Sequence, residues 1–469
     1  MNKKNRNNQL IKGTVVYGLG SFGTKILGFI IIPIYTYYIS TAELGLYDII
    51  MSTISLLTPI ITLQISDAAY KGIVVDYENK NKYIISTIQI LIINCLVFLS
   101  IVLLINKMYV LPYCLYFCII LVLSRALETL QKLLRGLKRQ GLFATSGVIY
   151  TIFFLSLNIL MLCIFHKGII GLFQSVVIAN IFTIIFILIF EKRLRINLFT
   201  RIDKKLIISM FKFSVPLVPN YLNWWIINSS DRYIVLWFLG ASATGVLAIA
   251  HKFPTMLQSI MGLFNSSWQD FVMAEKEIKD SDNYYSMIFE KYYQIMLSLL
   301  TALIPYTKVF ILIVMNKDYK VACDFVTFYY LGTVFQGFSS FVGVGYLKNG
   351  KTKSAFSSSI YGAIANAVIN IILINIIGLQ AAAISTFFAF FIIWIIRIYQ
   401  TKDELKIKLN KIKFISLLIV TIIIGLISIY SNLKINILLC ILGTCNVIFI
   451  NRKEIILTFN YMKKIKYTY

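Results

Sequence analysis

The chain has 469 residues, 58% of them hydrophobic, with a mean hydropathy of +0.79 and a formal net charge of +25. That is too apolar for a soluble globule of this size. Its seven cysteines lie in or beside apolar segments, with no Cys-x-x-Cys and no nearby His, so metal and redox chemistry are set aside and no cofactor is expected.

In chain order, about fourteen apolar segments reach the length a helix needs to cross a bilayer. They fall near 13–39, 46–65, 84–105, 109–130, 142–165, 168–190, 206–228, 240–264, 292–315, 324–347, 354–376, 378–396, 414–430 and 435–450. The polar leader Met1–Asn8 runs into a full-length span with no small-residue cleavage site, so this segment is expected to be a retained span and no signal peptide. The expected fold class is all-α, a polytopic membrane protein.

The basic excess raises nucleic acid as a partner, but its placement answers to topology instead. The segments on one side of the alternating spans, with the flanking Lys212, hold 35 of the 45 Lys and Arg. By the positive-inside rule that side is cytoplasmic, and both termini lie there. The localisation expected is the cytoplasmic (inner) membrane, with membrane lipid as surroundings and no nucleic-acid partner.

The basic loop Glu191–Lys205 divides the spans into two sets of six. Residues 1–200 and 201–410 are read as N- and C-terminal six-helix lobes, and 411–469 as an extra helix pair with a basic tail. The halves echo each other: Gly45 and Gly245 fall in register, Leu137-Lys138 recurs as Leu347-Lys348, and Asn158 recurs as Asn370. An even number of spans per half inserts both with the same orientation, so a pseudo-two-fold along the membrane normal and a central site are expected.

Two motif matches point nowhere. Gly345-Tyr-Leu-Lys-Asn-Gly350-Lys351-Thr352 fits the phosphate-loop pattern, and Gly18-Leu-Gly20-Ser-Phe-Gly23 fits the dinucleotide fingerprint. Both patterns need a strand leading into a loop and a helix N-terminus. The first match joins two spans and the second lies inside one. Gly20, Thr24 and Gly28 instead form a small-x-x-x-small stripe for close helix packing.

Lys25 and Lys252 stand near the middle of apolar spans, where a cation costs about 2.5–3.5 kcal/mol on insertion scales. Each pairs with a buried carboxylate, lies in a wet interior, or faces a cavity that handles an anion. Arg125 and Glu128 have the spacing of an intrahelical pair, with a cavity-lining, substrate-binding role for Arg125 and a gating or coupling role for Glu128 as the second reading. Asp67, Asp231 and Arg232 sit at span ends where gates between cavity and water would lie. Ordinary interfacial charges explain those three equally well. His251 adjoins Lys252 but points about 100° away on a helix. It is a packed or hydrogen-bonded His first and a proton relay second.

Phe213-Ser-Val-Pro216-Leu-Val-Pro219, Ser230-Asp231-Arg232-Tyr233-Ile234 and the run from Phe238 to Lys252 resemble the second half of polysaccharide (Wzx-type) flippases. Lys25-Ile-Leu-Gly-Phe-Ile-Ile-Ile-Pro33, Glu43-Leu-Gly45-Leu-Tyr-Asp48 and Asp67-Ala-Ala-Tyr-Lys71 resemble the first half. These flippases belong to the multidrug/oligosaccharidyl-lipid/polysaccharide exporter superfamily. The resemblance spans roughly residues 10–400, although the His before Lys252 departs from a more usual apolar or aromatic residue. It implies alternating access of two six-helix lobes that carries an undecaprenyl-diphosphate-linked oligosaccharide from the inner to the outer leaflet. It further implies Lys25 and Lys252 as cationic substrate-binding positions, with a polysaccharide polymerase complex as partner assembly. A drug/cation antiporter of the same superfamily and a teichoic-acid-type exporter stay open. A membrane-embedded polymerase or ligase is rejected, because every outward loop is short.

Overall fold

A computed structural model describes residues 29, 31–195, 203–274, 281–348, 351–454 and 456. Among these residues the secondary structure is helical, and eleven helices are long and apolar enough to cross a membrane. One of the eleven, Lys204–Met273, runs to 70 residues and contains two of the expected spans. Gly240, at φ 85, divides them. Glycine tolerates that backbone without a Cβ penalty, so the boundary read at residue 240 coincides with a real break. The expected span near 324–347 is the helix Val326–Lys348, which stands outside the eleven. Most of the first expected span, with Lys25 and the glycines at 18, 20 and 23, lies outside the described residues.

The chain divides into two units, 20–230 and 231–469 apart from the first nineteen residues. In the unit ending at Ser230, the helix Thr41–Thr62 starts with a capping box: Ser40 Oγ accepts from the Glu43 amide, and Glu43 Oε2 accepts from the Ser40 amide. This satisfies two backbone donors that a membrane helix end would otherwise leave open. The expected second span is broken at Leu63 and Gln64, both left-handed (φ 46 and 52), and a short helix Ile65–Val75 follows at a new angle. Two consecutive non-glycine residues in that region carry strain. Helices Lys80–Met108, Cys114–Gly136, Gln140–Ile159 and Gly168–Phe190 complete the set. Their core joins Ile65, Ala69 and Ile73 to Ile84, Leu133, Leu134 and Ile187. Helix Lys204–Ser214 and the stretch 218–230 pack here too: Lys71 Nζ sits 4.0 Å from the Phe213 ring centre, and Trp225 Nε1 donates to Ser52 O at 3.1 Å.

In the other unit the interior is aromatic. Phe335, Phe338 and Phe341 of helix Val326–Lys348 meet Trp268, Tyr292, Trp394 and Phe414. Small residues let this helix lie close to Gln380–Gln400: Ala381, Ala382, Ala383 and Ala389 are wholly buried, and a Cβ on Gly332 would meet the Phe387 backbone at 3.2 Å.

The C-terminal pair, Lys411–Tyr430 and Leu433–Ile450, is stitched along helix Ser281–Val314. Gln294 Nε2 donates to Ile450 O, Asn451 Nδ2 to Ser298 Oγ, and Thr421 Oγ1 to Leu297 O. At the far end Lys308 Nζ donates to the carbonyls of Ser428 and Ile429, both at 2.6 Å. A lysine there satisfies orphan carbonyls and complements the negative helix end. By position in the sequence Lys308 belongs with the outward-flanking charges. It is in fact 6% exposed, because its partners come from a helix more than a hundred residues away.

Candidate functional site

The charged residues expected at functional positions assemble into two clusters, one within each unit. In the first, Arg125, Glu128 and Lys132 follow the i, i+3, i+7 spacing of one face of helix Cys114–Gly136. Arg125 Nη1 pairs tightly with Glu128 Oε2. Lys132 Nζ lies 3.5 Å from Glu128 Oε1 and 2.9 Å from Asp67 Oδ1. Tyr221 donates its hydroxyl to the other Asp67 oxygen at 3.2 Å. Asp67 occupies the first turn of Ile65–Val75, where a carboxylate is favoured by the exposed amides. The chain break at 63–64 is what brings that turn to Lys132.

This cluster is electrically neutral, with two cations against two carboxylates, so none of its charges is available for an external ion without a rearrangement. The intrahelical reading of Arg125–Glu128 holds geometrically. Arg125 is nonetheless only 13% exposed, and its Nε, buried, makes no hydrogen bond among the described residues. Lys132 and Tyr221 were absent from the expected site. The first was within reach of sequence, four residues after Glu128. The second comes from an element 154 residues beyond Asp67.

The second cluster is built on Asp231, 2% exposed. His251 Nε2 lies 2.9 Å from Asp231 Oδ2, and Tyr329 donates its hydroxyl to the same oxygen at 3.1 Å. The imidazole leans on the Tyr329 ring, with centres 4.1 Å apart. The amide of Arg232 donates to Asp231 Oδ1 at 3.0 Å, and its guanidinium lies 3.7 Å from that oxygen. A buried carboxylate needs such company, since an isolated one would cost several kcal/mol in desolvation. Gly240 turns the chain so that His251, twenty residues on, comes back to Asp231.

Lys252, the next residue, is exposed. Two neighbours in sequence thus meet different surroundings, as the 100° step along a helix requires. Lys25 lies outside the described residues.

One further buried cation stands at a position expected in a loop after the span 378–396. Arg397, 6% exposed, lies inside helix Gln380–Gln400. It donates to Ser358 Oγ, Ser359 Oγ and Ser339 O at 3.0–3.2 Å. A Cβ on Gly343 would stand 2.8 Å from its Nη1, so the missing side chain makes room for the guanidinium. Hydroxyl and carbonyl oxygens solvate the charge where water cannot.

The phosphate-loop match is explained by packing. Gly345 lies inside helix Val326–Lys348, and a Cβ on it would meet Thr401 at 3.0 Å. Lys351 is occupied by buried Glu404 at 2.5 Å, and this carboxylate raises Lys351 above the ordinary lysine range. Among the described residues no group of three or more His, Cys, Asp or Glu is arranged to hold a metal ion.

Similar architecture occurs in solved structures. The chain matches the lipid II flippase MurJ in an inward closed conformation with a TM-score of 0.69 and 17% identity, covering 94% of this chain and all of that one. It matches an inward-facing multidrug resistance MATE family transporter of the MOP superfamily with a TM-score of 0.67 and 12% identity, covering 84% and 95%. A Vibrio cholerae MATE transporter follows at 0.56 and 13%, covering 86% and 98%. No curated protein matches by sequence. The fold is therefore shared with these flippase and transporter structures. A model of the family described as polysaccharide biosynthesis protein matches residues 10–268, more than half of the chain, and the chain belongs to that family.

Proposed function

We propose that this protein flips an undecaprenyl-diphosphate-linked oligosaccharide from the inner to the outer leaflet of the cytoplasmic membrane. It does so by alternating access, without enzymatic chemistry, and with both termini in the cytoplasm. The observation that carries the reading is Lys252, exposed in the middle of an apolar helix of a polysaccharide biosynthesis family member while its neighbour His251 is engaged by Asp231. An exposed lysine at that depth suits a diphosphate, which it binds by charge-assisted hydrogen bonds as a mobile point charge. Lys25, of the N-terminal lobe (residues 1–200), supplies the second such charge, and Lys252 belongs to the C-terminal lobe (201–410). A diphosphate carries about two negative charges, so an interior-negative potential of 100 mV favours outward movement by roughly 4–5 kcal/mol.

The two clusters act as latches in this scheme. Asp67 and Glu128 in one, and Asp231, Arg232 and His251 in the other, are the gating or coupling residues, and Arg125 joins Lys25 and Lys252 in binding the substrate.

A drug/cation antiporter is the second reading, favoured by the buried Asp231 carboxylate. The engagement of Asp231 by His251, Tyr329 and Arg232 weighs against it, because those partners occupy the oxygens that a cationic substrate needs.

The test is transport by the full chain in vesicles carrying a lipid-linked oligosaccharide. Lys252→Ala and Lys25→Ala each reduce flux at least tenfold at equal expression, and Lys252→Arg keeps part of it. Wild-type flux in the double alanine variant overturns the assignment of both lysines.

A further inference from the structure

We infer that the C-terminal helix pair forms a binding site for a phosphate group, supplied by the headgroup of an anionic membrane lipid. The site is a cavity of about 360 Å³ lined by residues of helix Ser281–Val314, by Lys413 at the start of Lys411–Tyr430, and by residues 450–454 after Leu433–Ile450. At about 30 Å³ per water it has room for a phosphate with its hydration.

Its charge arithmetic points to an anion. Four cations line it, Lys291, Lys413, Arg452 and Lys453, against two carboxylates, Glu290 and Glu454. Lys413 Nζ lies 2.8 Å from Glu290, and Lys291 Nζ lies 3.1 Å from Glu454. Those pairs neutralise two of the four cations. Arg452 and Lys453 make no ion pair among the described residues, so the described lining carries two more cations than carboxylates.

The wall is held firmly. Gln294 on the floor donates to Ile450 O, Asn451 donates to Ser298, and Gly443 sits so close to Thr301 that a Cβ would come within 2.3 Å of its carbonyl oxygen. The Arg452 and Lys453 backbone is thereby fixed at the helix end.

Two observations favour a lipid over free phosphate. The cavity lies where the apolar runs 414–430 and 433–450 end in charged residues, the depth of a headgroup. Beside it both helices present apolar surface outward: Ile415 is 51% exposed and Phe449 74%, as acyl chains require. With both termini in the cytoplasm, as proposed above, this end lies on the cytoplasmic side, where basic pockets between membrane helices bind anionic headgroups.

The experiment is native mass spectrometry of the full chain titrated with phosphatidylglycerol, with phosphatidylcholine and inorganic phosphate as separate probes. The wild type retains phosphatidylglycerol in preference to phosphatidylcholine. The exposed double variant Arg452→Gln/Lys453→Gln loses roughly 25-fold in apparent affinity, at about fivefold per cation near the membrane surface. Lys434→Gln, which removes one exposed charge from the other end of the same helix pair, keeps wild-type binding. Inorganic phosphate that binds through the same two residues and displaces the lipid identifies free phosphate as the source. Equal lipid and phosphate binding in the double variant and the wild type overturns the proposal, as does an equal loss in Lys434→Gln.

Discussion

His251 and Asp231 are twenty residues apart in the chain and 2.9 Å apart in space, with Tyr329 closing the same carboxylate oxygen from a third segment. Glycine at 240 permits the turn that joins the first two, and aromatic packing delivers the third. Asp231→Asn keeps the side chain's volume and removes its charge, which strips Arg232 of its counter-charge and weakens the contact with His251. Breaking a buried pair in this way costs about 3–5 kcal/mol, read as a lower unfolding midpoint in detergent. His251→Gln keeps a hydrogen-bonding group beside Asp231 but loses the ring contact with Tyr329, so it lowers the same midpoint by less than Asp231→Asn does. An equal loss in the two variants shows that the carboxylate's charge is not what holds the cluster.

Lys132 is the hinge of the first cluster, touching both Asp67 and Glu128. A double-mutant cycle with Asp67→Asn and Lys132→Gln gives a coupling energy above about 0.5 kcal/mol and up to about 3 kcal/mol, the range for residues in one charge network. Tyr221→Phe costs less, about 0.5–1.5 kcal/mol for one hydrogen bond. Strict additivity of Asp67→Asn and Lys132→Gln in unfolding measurements contradicts the network.

Gly443 and Lys308 hold the C-terminal helix pair at two separate points. Gly443→Ala drives a methyl group into the Thr301 backbone, and overpacking of this kind costs typically 1–3 kcal/mol. Maleimide labelling reports it: Cys440, buried beside the contact, reacts faster in Gly443→Ala, whereas exposed Cys445 is unaffected. Lys308→Met, which leaves the Ser428 and Ile429 carbonyls without their donor, gives the same change in a smaller degree. Cys440 labelling at the wild-type rate in both variants shows that neither contact secures the pair.

Much of this molecule is legible in its sequence, for a simple reason. A helix that crosses hydrocarbon must be apolar over its whole length, so span positions, the break at Gly240 and the helical class follow from composition alone. Local geometry is equally readable: Glu128 is three positions after Arg125, and Lys252 directly follows His251, so the pair and the divergence follow from 3.6 residues per turn. Lys132 obeyed that rule as well, four residues past Glu128.

Which faces meet was decided only by tertiary structure. A helix apolar on every side has no polar stripe to say which side is buried. Lys308 and Arg397 therefore read as interfacial charges, although one caps a helix more than a hundred residues away and the other is solvated by three serines. The partners of Asp231 and Asp67 lie up to 98 and 154 residues away. Bringing them together depends on a left-handed break at Leu63 and Gln64, a turn at Gly240 and close approach at small residues. Composition sets that a segment enters the membrane; shape complementarity between helices sets which charge finds which.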